Sequence, residues 1–191
     1  MGAQRLMRYT IEYDSAAWFP VPATFPAENW QTEGAWLESL VADFETDVGS
    51  LTTDAHAAVH EFATAARSAR IPGTSAYFLF CPRTLPVLGV ASVFIGTSDV
   101  PVDLDHESSA DELAQLPPLV EDFATENLGE GRRAAVVLGA SDQASAAGRY
   151  NYAFDRDGCI VTVSGTADGL QEAALMQPFL DILVHGIRLE A

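Results

Sequence analysis

Polar and apolar side chains alternate along several stretches of the chain, with the two-residue period of a β-strand that buries one face. Between residues 6 and 13 the apolar positions are Met7, Tyr9, Ile11 and Tyr13. Further alternating or nearly continuous apolar runs predict strands over 77–81, 87–95, 119–127, 132–138 and 149–155. We therefore expect a sheet of about six strands.

The Asp-Gly dipeptide at 157–158 is the strongest local signal, because it lies between two alternating runs and suits a two-residue type I′ turn. Pairing across this turn places Phe154 opposite Val161 and Tyr152 opposite Val163. This aromatic and valine set is predicted to form the core face of the hairpin. The other face then carries Asn151, Ala153, Thr162 and Ser164.

Three stretches carry apolar residues at the spacing of an amphipathic helix. The first covers 34–48, and the second runs to about residue 70 from a cap within Thr52, Thr53 and Asp54. The third follows Gly165 and ends at Gly186, and Pro178 inside it predicts a kink or a fresh start. The positions of the third helix expected to face the core are Leu170, Ala174, Phe179, Ile182 and Leu183.

These elements predict one α+β domain over residues 1–191, an antiparallel sheet packed by helices. No Pro-, Gly- or Ser-rich linker divides the chain, and 48% of its residues are hydrophobic, which is ample for one core. The two cysteines, Cys81 and Cys159, lie in apolar strand-like runs, as small core residues do. Since neither a leader nor a membrane-spanning run is visible, we expect a reduced, cytoplasmic protein.

Charge narrows the classes of partner. All ten basic residues are arginine and face 27 carboxylates, for a formal net charge of −17. A surface this negative repels nucleic-acid phosphates and anionic lipid head groups. We therefore expect neither nucleic acid nor a membrane as a partner.

The aromatic segment, residues 18–36, contains every tryptophan of the chain together with several prolines. Tryptophan is favoured at protein interfaces, and proline keeps a loop extended at low entropic cost, so the segment is a candidate surface for a protein partner. The alternative is that the loop covers a sheet edge and its aromatic rings complete the core. The candidate partner-binding residues are Trp18, Phe19, Phe25, Trp30 and Trp36.

His56 and His60 lie four residues apart on a predicted helix, a spacing that places two imidazoles on one face, where they could bind zinc. The HExxH zinc motif is absent, and its inverted form would need glutamate where the chain has Val59. Glu61 or Asp54 could supply a third ligand. The favoured interpretation is a solvated helix flank, so neither a metal nor another cofactor is predicted.

No catalytic motif is complete. The sequence around Ser141 lacks the closing glycine of a nucleophile elbow. A calcium-binding EF-hand loop starting at Asp103 would need glycine and glutamate where the chain has Ser108 and Ala114, which leaves only an irregular calcium site as an alternative to a solvated acidic loop. Cys81 has apolar neighbours, which favour a neutral thiol. We therefore expect a protein that is not an enzyme.

Both ends of the chain are similar to the PsbP/Mog1-like α/β/α sandwich. The resemblance rests on the opening strand at 9–13 with Trp-Phe-Pro-Val-Pro at 18–22, and on the closing hairpin, helix and Gly-Ile-Arg-Leu at 186–189. The chain also resembles proteins from high-GC bacteria that share the Trp-Phe-Pro opening. The superfamily implies an accessory or binding protein, and it lends no residue a role because its members share no active site.

We therefore expect a non-catalytic accessory or protein-binding module that meets its partner through the aromatic segment. One alternative is an acidic immunity or mimic protein that neutralises a basic partner by electrostatic attraction. A metal-dependent enzyme using His56 and His60 is the least favoured class.

Overall fold

The computed structural model describes residues 8–83, 85, 87–139 and 146–190. They form an α+β fold, so the predicted fold class is confirmed. In chain order the elements are β1 (Arg8–Ile11), β2 (Trp18–Pro20), α1 (Glu33–Val48), α2 (Thr53–Ser68), β3 (Ala76–Phe80), β4 (Gly89–Thr97), α3 (Leu104–Ser109), β5 (Leu119–Thr125), β6 (Gly129–Val137), β7 (Gly148–Arg156), β8 (Cys159–Ala167), α4 (Leu170–His185) and β9 (Ile187–Glu190).

The main sheet is open and antiparallel and has seven strands, in the order β2-β3-β4-β8-β7-β6-β5. The sequence predicted about six. The added strand is the three-residue β2, which was expected to be an extended loop because of its prolines. Proline is tolerated there because β2 is an edge strand, where one side of the backbone needs no partner.

The hairpin of β7 and β8 has the predicted register. Tyr152 pairs with Val163 and Phe154 with Val161, and all four side chains are buried. The turn adopts the expected left-handed conformation, with φ of 55° at Asp157 and 78° at Gly158.

Successive side chains of β3 point into two separate cores. Phe78 and Phe80 belong to one buried cluster, and Tyr77 and Leu79 belong to another. Since neighbouring side chains of a strand point to opposite faces, the sheet is covered on both faces at this end.

Helix α4 covers the first face. Its buried residues Met176, Leu180 and Leu183 lie in the same cluster as Val161 and Val163 of β8. The helix runs unbroken through Pro178, so the predicted fresh start does not occur. Pro178 and Ala174, whose carbonyl loses its helical hydrogen bond, are both exposed, and water can bond that carbonyl instead.

Helices α1 and α2 cover the second face over β3. Trp36 and Leu40 of α1 and Ala63 and Ala66 of α2 are buried against Leu79. The N-cap side chains of both helices accept backbone hydrogen bonds, as predicted for the second helix: Thr32 accepts from Ala35, and Thr52 from Ala55. None of the helices in the described ranges is long and apolar enough to cross a membrane.

The two chain ends meet in a second, two-stranded sheet of β1 and β9. The Glu12 backbone N–H donates to the Gly186 carbonyl over 2.9 Å where the chain leaves α4. A Cβ atom added at Gly186 would lie 1.9 Å from the Glu12 carbonyl oxygen. Glycine is therefore required here by close backbone approach.

We predict that Gly186→Ala lowers the free energy of unfolding by about 1–3 kcal/mol, because two backbones must separate to admit the methyl group. Gly96→Ala is the matched control, since an added Cβ there meets nothing within 4 Å. Urea unfolding of both variants measures the difference. Equal stabilities would contradict the predicted clash.

Candidate functional site

Two of the five candidate residues of the aromatic segment are core residues. The exposed fraction is 2% for Trp18 and 0% for Trp36, so neither ring lies on the surface where a partner could contact it. Trp18 lies 4.8 Å, centroid to centroid, from the ring of Phe80, its partner across β2 and β3. The Trp36 indole N–H donates to the Pro20 carbonyl over 3.0 Å, which satisfies its polar group inside the core.

The other three candidate residues of the aromatic segment, Phe19, Phe25 and Trp30, are half-buried. Phe19 lies 5.6 Å from the ring of Trp30, whose N–H donates to the Ser39 hydroxyl over 2.6 Å. The guanidinium of Arg67 lies 5.0 Å from the centre of the Phe25 ring. These contacts support the alternative that the segment completes a core, and contact of Phe19, Phe25 and Trp30 with a partner stays a prediction.

A polar cavity of about 280 Å³ lies on the second face of the sheet. Inside it the Ser164 hydroxyl donates to the Asn151 side-chain oxygen over 2.8 Å, and the Asn151 amide donates to the Ser108 carbonyl over 3.1 Å. Its lining, all within the described residues, includes neither a histidine nor a thiol. The Ser164 hydroxyl donates to an amide oxygen, which is too weak a base to activate it as a nucleophile.

The acidic stretch at 99–112 stabilises local structure. The Asp103 carboxylate accepts hydrogen bonds from the first amides of α3. Asp105 binds Arg132, and Asp111, nearly buried, binds Arg149 at 2.5 Å. These carboxylates therefore have partners inside the protein.

Arg133 connects the sheet to α4. It binds Asp181 at 2.8 Å and Glu121 at 2.7 Å. The Tyr152 hydroxyl donates to the same Asp181 carboxylate over 2.6 Å. Burial, together with this carboxylate, raises the pKa of Tyr152, so the phenol stays protonated and the network is structural.

Both histidines of the predicted pair lie beside a glutamate from the neighbouring helix. Glu38 of α1 joins His56 and His60 of α2, and their potential ligand atoms all lie within 4.8 Å of one another. We call these three residues the histidine cluster. The sequence left Glu61 and Asp54 open as third ligands, and neither belongs to the cluster.

The two cysteines are free and buried. The pKa of the Cys81 thiol is raised to about 12. Burial is the main cause, and the negative charge of nearby Asp43 adds to it more than the positive charge of Arg83 offsets it. Burial likewise raises the pKa of Cys159. Both thiols are the core residues that the sequence predicted, not activated nucleophiles.

The far edge of the main sheet is open. Within the described ranges β5 pairs only with β6, and the preceding residues reach Leu138 through a single bridge from Ala114. Val120 packs inward, but three leucines at this edge remain in solvent. Their exposed fractions are 63% for Leu113, 59% for Leu116 and 69% for Leu119. We call residues 113–125 the open edge.

No model of a known protein family matches the chain, and no curated protein matches it.

We predict that Cys81 of the native protein reacts with iodoacetamide at least about a hundredfold more slowly than in the unfolded chain. Near pH 9, a thiol with a pKa of about 12 is thiolate in roughly one molecule in a thousand, whereas most ordinary thiols are ionised. Mass spectrometry of the Cys81 peptide measures both rates. Rates within tenfold of each other, or a native rate that levels off near pH 9, would contradict the raised pKa.

Proposed function

We propose that this protein is a non-catalytic, cytoplasmic protein-binding module that takes an extended, basic segment of its partner along the open edge. Two free cysteines accord with a reducing compartment. Satisfied polar groups in the sheet-face cavity and neutral thiols support a role in binding instead of catalysis.

The observation that carries the proposal is the exposure of Leu113, Leu116 and Leu119 at an edge where β5 pairs on one side only among the described residues. Burying a leucine side chain gains about 1.5–3 kcal/mol, so three together supply a substantial apolar contact. Long, exposed edge strands are usually protected because they pair with other chains. The opposite edge, β2, has only three residues and so offers little backbone to a pairing strand.

The charges of the open edge indicate the chemistry of the partner. Glu121 and Asp122 lie on β5, and Glu126 and Glu130, both exposed, follow at its end. Arg133 forms an ion pair with Glu121, and Arg132 forms one with Asp122, so two of these four carboxylates are neutralised. A partner strand with lysine or arginine between apolar residues would match both features, in the mode of β-strand addition.

The net charge of −17 favours a second candidate, the acidic immunity or mimic protein. Such a protein would bind a basic partner through its wider surface and would not need the three leucines. Its association would weaken steeply with added salt.

The likeness to the PsbP/Mog1-like sandwich stays a proposal. It is supported by helices on both faces of the antiparallel sheet: the α4 side chains pack with Phe78, and those of α1 with Leu79.

We predict that a labelled peptide of alternating valine and lysine binds the protein, while the same peptide with glutamate in place of lysine does not. Replacing Leu113, Leu116 and Leu119 together by serine should weaken binding at least about tenfold, because the apolar contact is lost. Fluorescence anisotropy measures affinity, and hydrogen exchange should show new protection in β5.

The matched control is a triple serine variant of Ile71, Leu88 and Ile182, which are exposed elsewhere on the surface. Equal effects of the two triple variants, or equal binding of both peptides, would refute the open edge as the site. If affinity falls steeply with added salt and is the same for the leucine-to-serine triple variant as for the parent, the immunity or mimic protein is favoured instead.

A further inference from the structure

The histidine cluster brings metal-ligating groups together from two helices. His56 and His60 lie one turn apart on α2, with ring centroids 4.6 Å apart and planes inclined by 31°. Glu38 reaches them from α1. Both imidazoles are half-buried and the carboxylate is exposed, so the cluster opens to solvent.

A second observation points to a ligand at the same place. The Nε2 atom of His60 is buried and has no hydrogen-bond partner among the described residues. A buried polar atom without a partner costs about 1–3 kcal/mol. Imidazole nitrogen is also a preferred ligand atom of zinc, and an ion that binds through Nε2 would satisfy the nitrogen that the protein leaves without a partner.

We propose that Glu38, His56 and His60 bind one divalent transition-metal ion, with Zn²⁺ the best match. Two imidazoles and one carboxylate are a known ligand set for zinc, with water as the fourth ligand. Ligand atoms of a tetrahedral zinc site lie about 3.3 Å apart, as follows from bond lengths near 2.05 Å. From separations within 4.8 Å, small rotations of three partly exposed side chains close that gap.

The ion would join α1 to α2. These helices cover the second core, and the chain between them passes through Gly49, where φ is 76°. A metal that binds only the folded protein stabilises it by mass action, so zinc should raise the thermal unfolding temperature. This role is separate from the open edge, since none of the three ligands lies in residues 113–125.

The test is a calorimetric titration of chelator-treated, full-length protein with Zn²⁺, at enough salt to screen diffuse attraction to the acidic surface. We expect one ion per chain with micromolar or tighter affinity. Glu38→Gln, His56→Ala and His60→Ala should each weaken binding at least about tenfold, because each removes a direct ligand. His106→Ala, which removes an exposed histidine of α3, is the matched control and should change nothing.

Metal selectivity and the folding of a variant are two further measurements that separate loss of this site from other causes. Co²⁺ should give the visible absorption of a four-coordinate site, and Ca²⁺ and Mg²⁺ should not compete, since they prefer oxygen ligands. Glu38 is exposed, so Glu38→Gln should fold normally, which circular dichroism checks. Zinc binding that is absent, that survives all three variants, or that yields equally to Mg²⁺ would overturn the proposal.

Discussion

The fold depends on covering both faces of the sheet at the β3 end. Alternating side chains of β3 project Phe78 and Phe80 to one side and Tyr77 and Leu79 to the other. A strand of this composition is stable only between two apolar layers, because either face left in water would forfeit the free energy of burying large side chains. Helix α4 supplies one layer, and α1 and α2, with the aromatic segment, supply the other.

This constraint explains where the tryptophans lie. Trp18 and Trp36 come close together in sequence yet enter different cores, because β2 pairs along β3 and α1 returns across the second face. Rings used in this way are not free for recognition. The candidate functional regions are instead the open edge, at the end of the sheet opposite β2, and the histidine cluster, where Glu38 of α1 lies beside His56 and His60 of α2.

Sequence patterns predicted the features that depend on neighbouring residues, such as turns, strand register and helix caps. The β7–β8 register followed from an Asp-Gly turn and strict alternation, and capping preference placed the start of α2 within residues 52–54, where Thr52 is the cap. Tertiary placement was harder to predict. Glu38 was missed because only the packing of α1 on α2 brings it near the histidines. In α4 the predicted core face failed at Leu170, Ala174 and Ile182, which are exposed, because apolar side chains lie on all sides of this helix and do not mark one buried face.

Trp36, the fully buried ring of the aromatic segment, stabilises the second core. The most direct measurement is the free energy of unfolding of Trp36→Ala beside that of Trp30→Ala. We expect a loss of about 3–5 kcal/mol at Trp36, which is fully buried and bonded to Pro20, and a smaller loss at half-buried Trp30. A Trp36→Ala protein as stable as the parent would contradict the account.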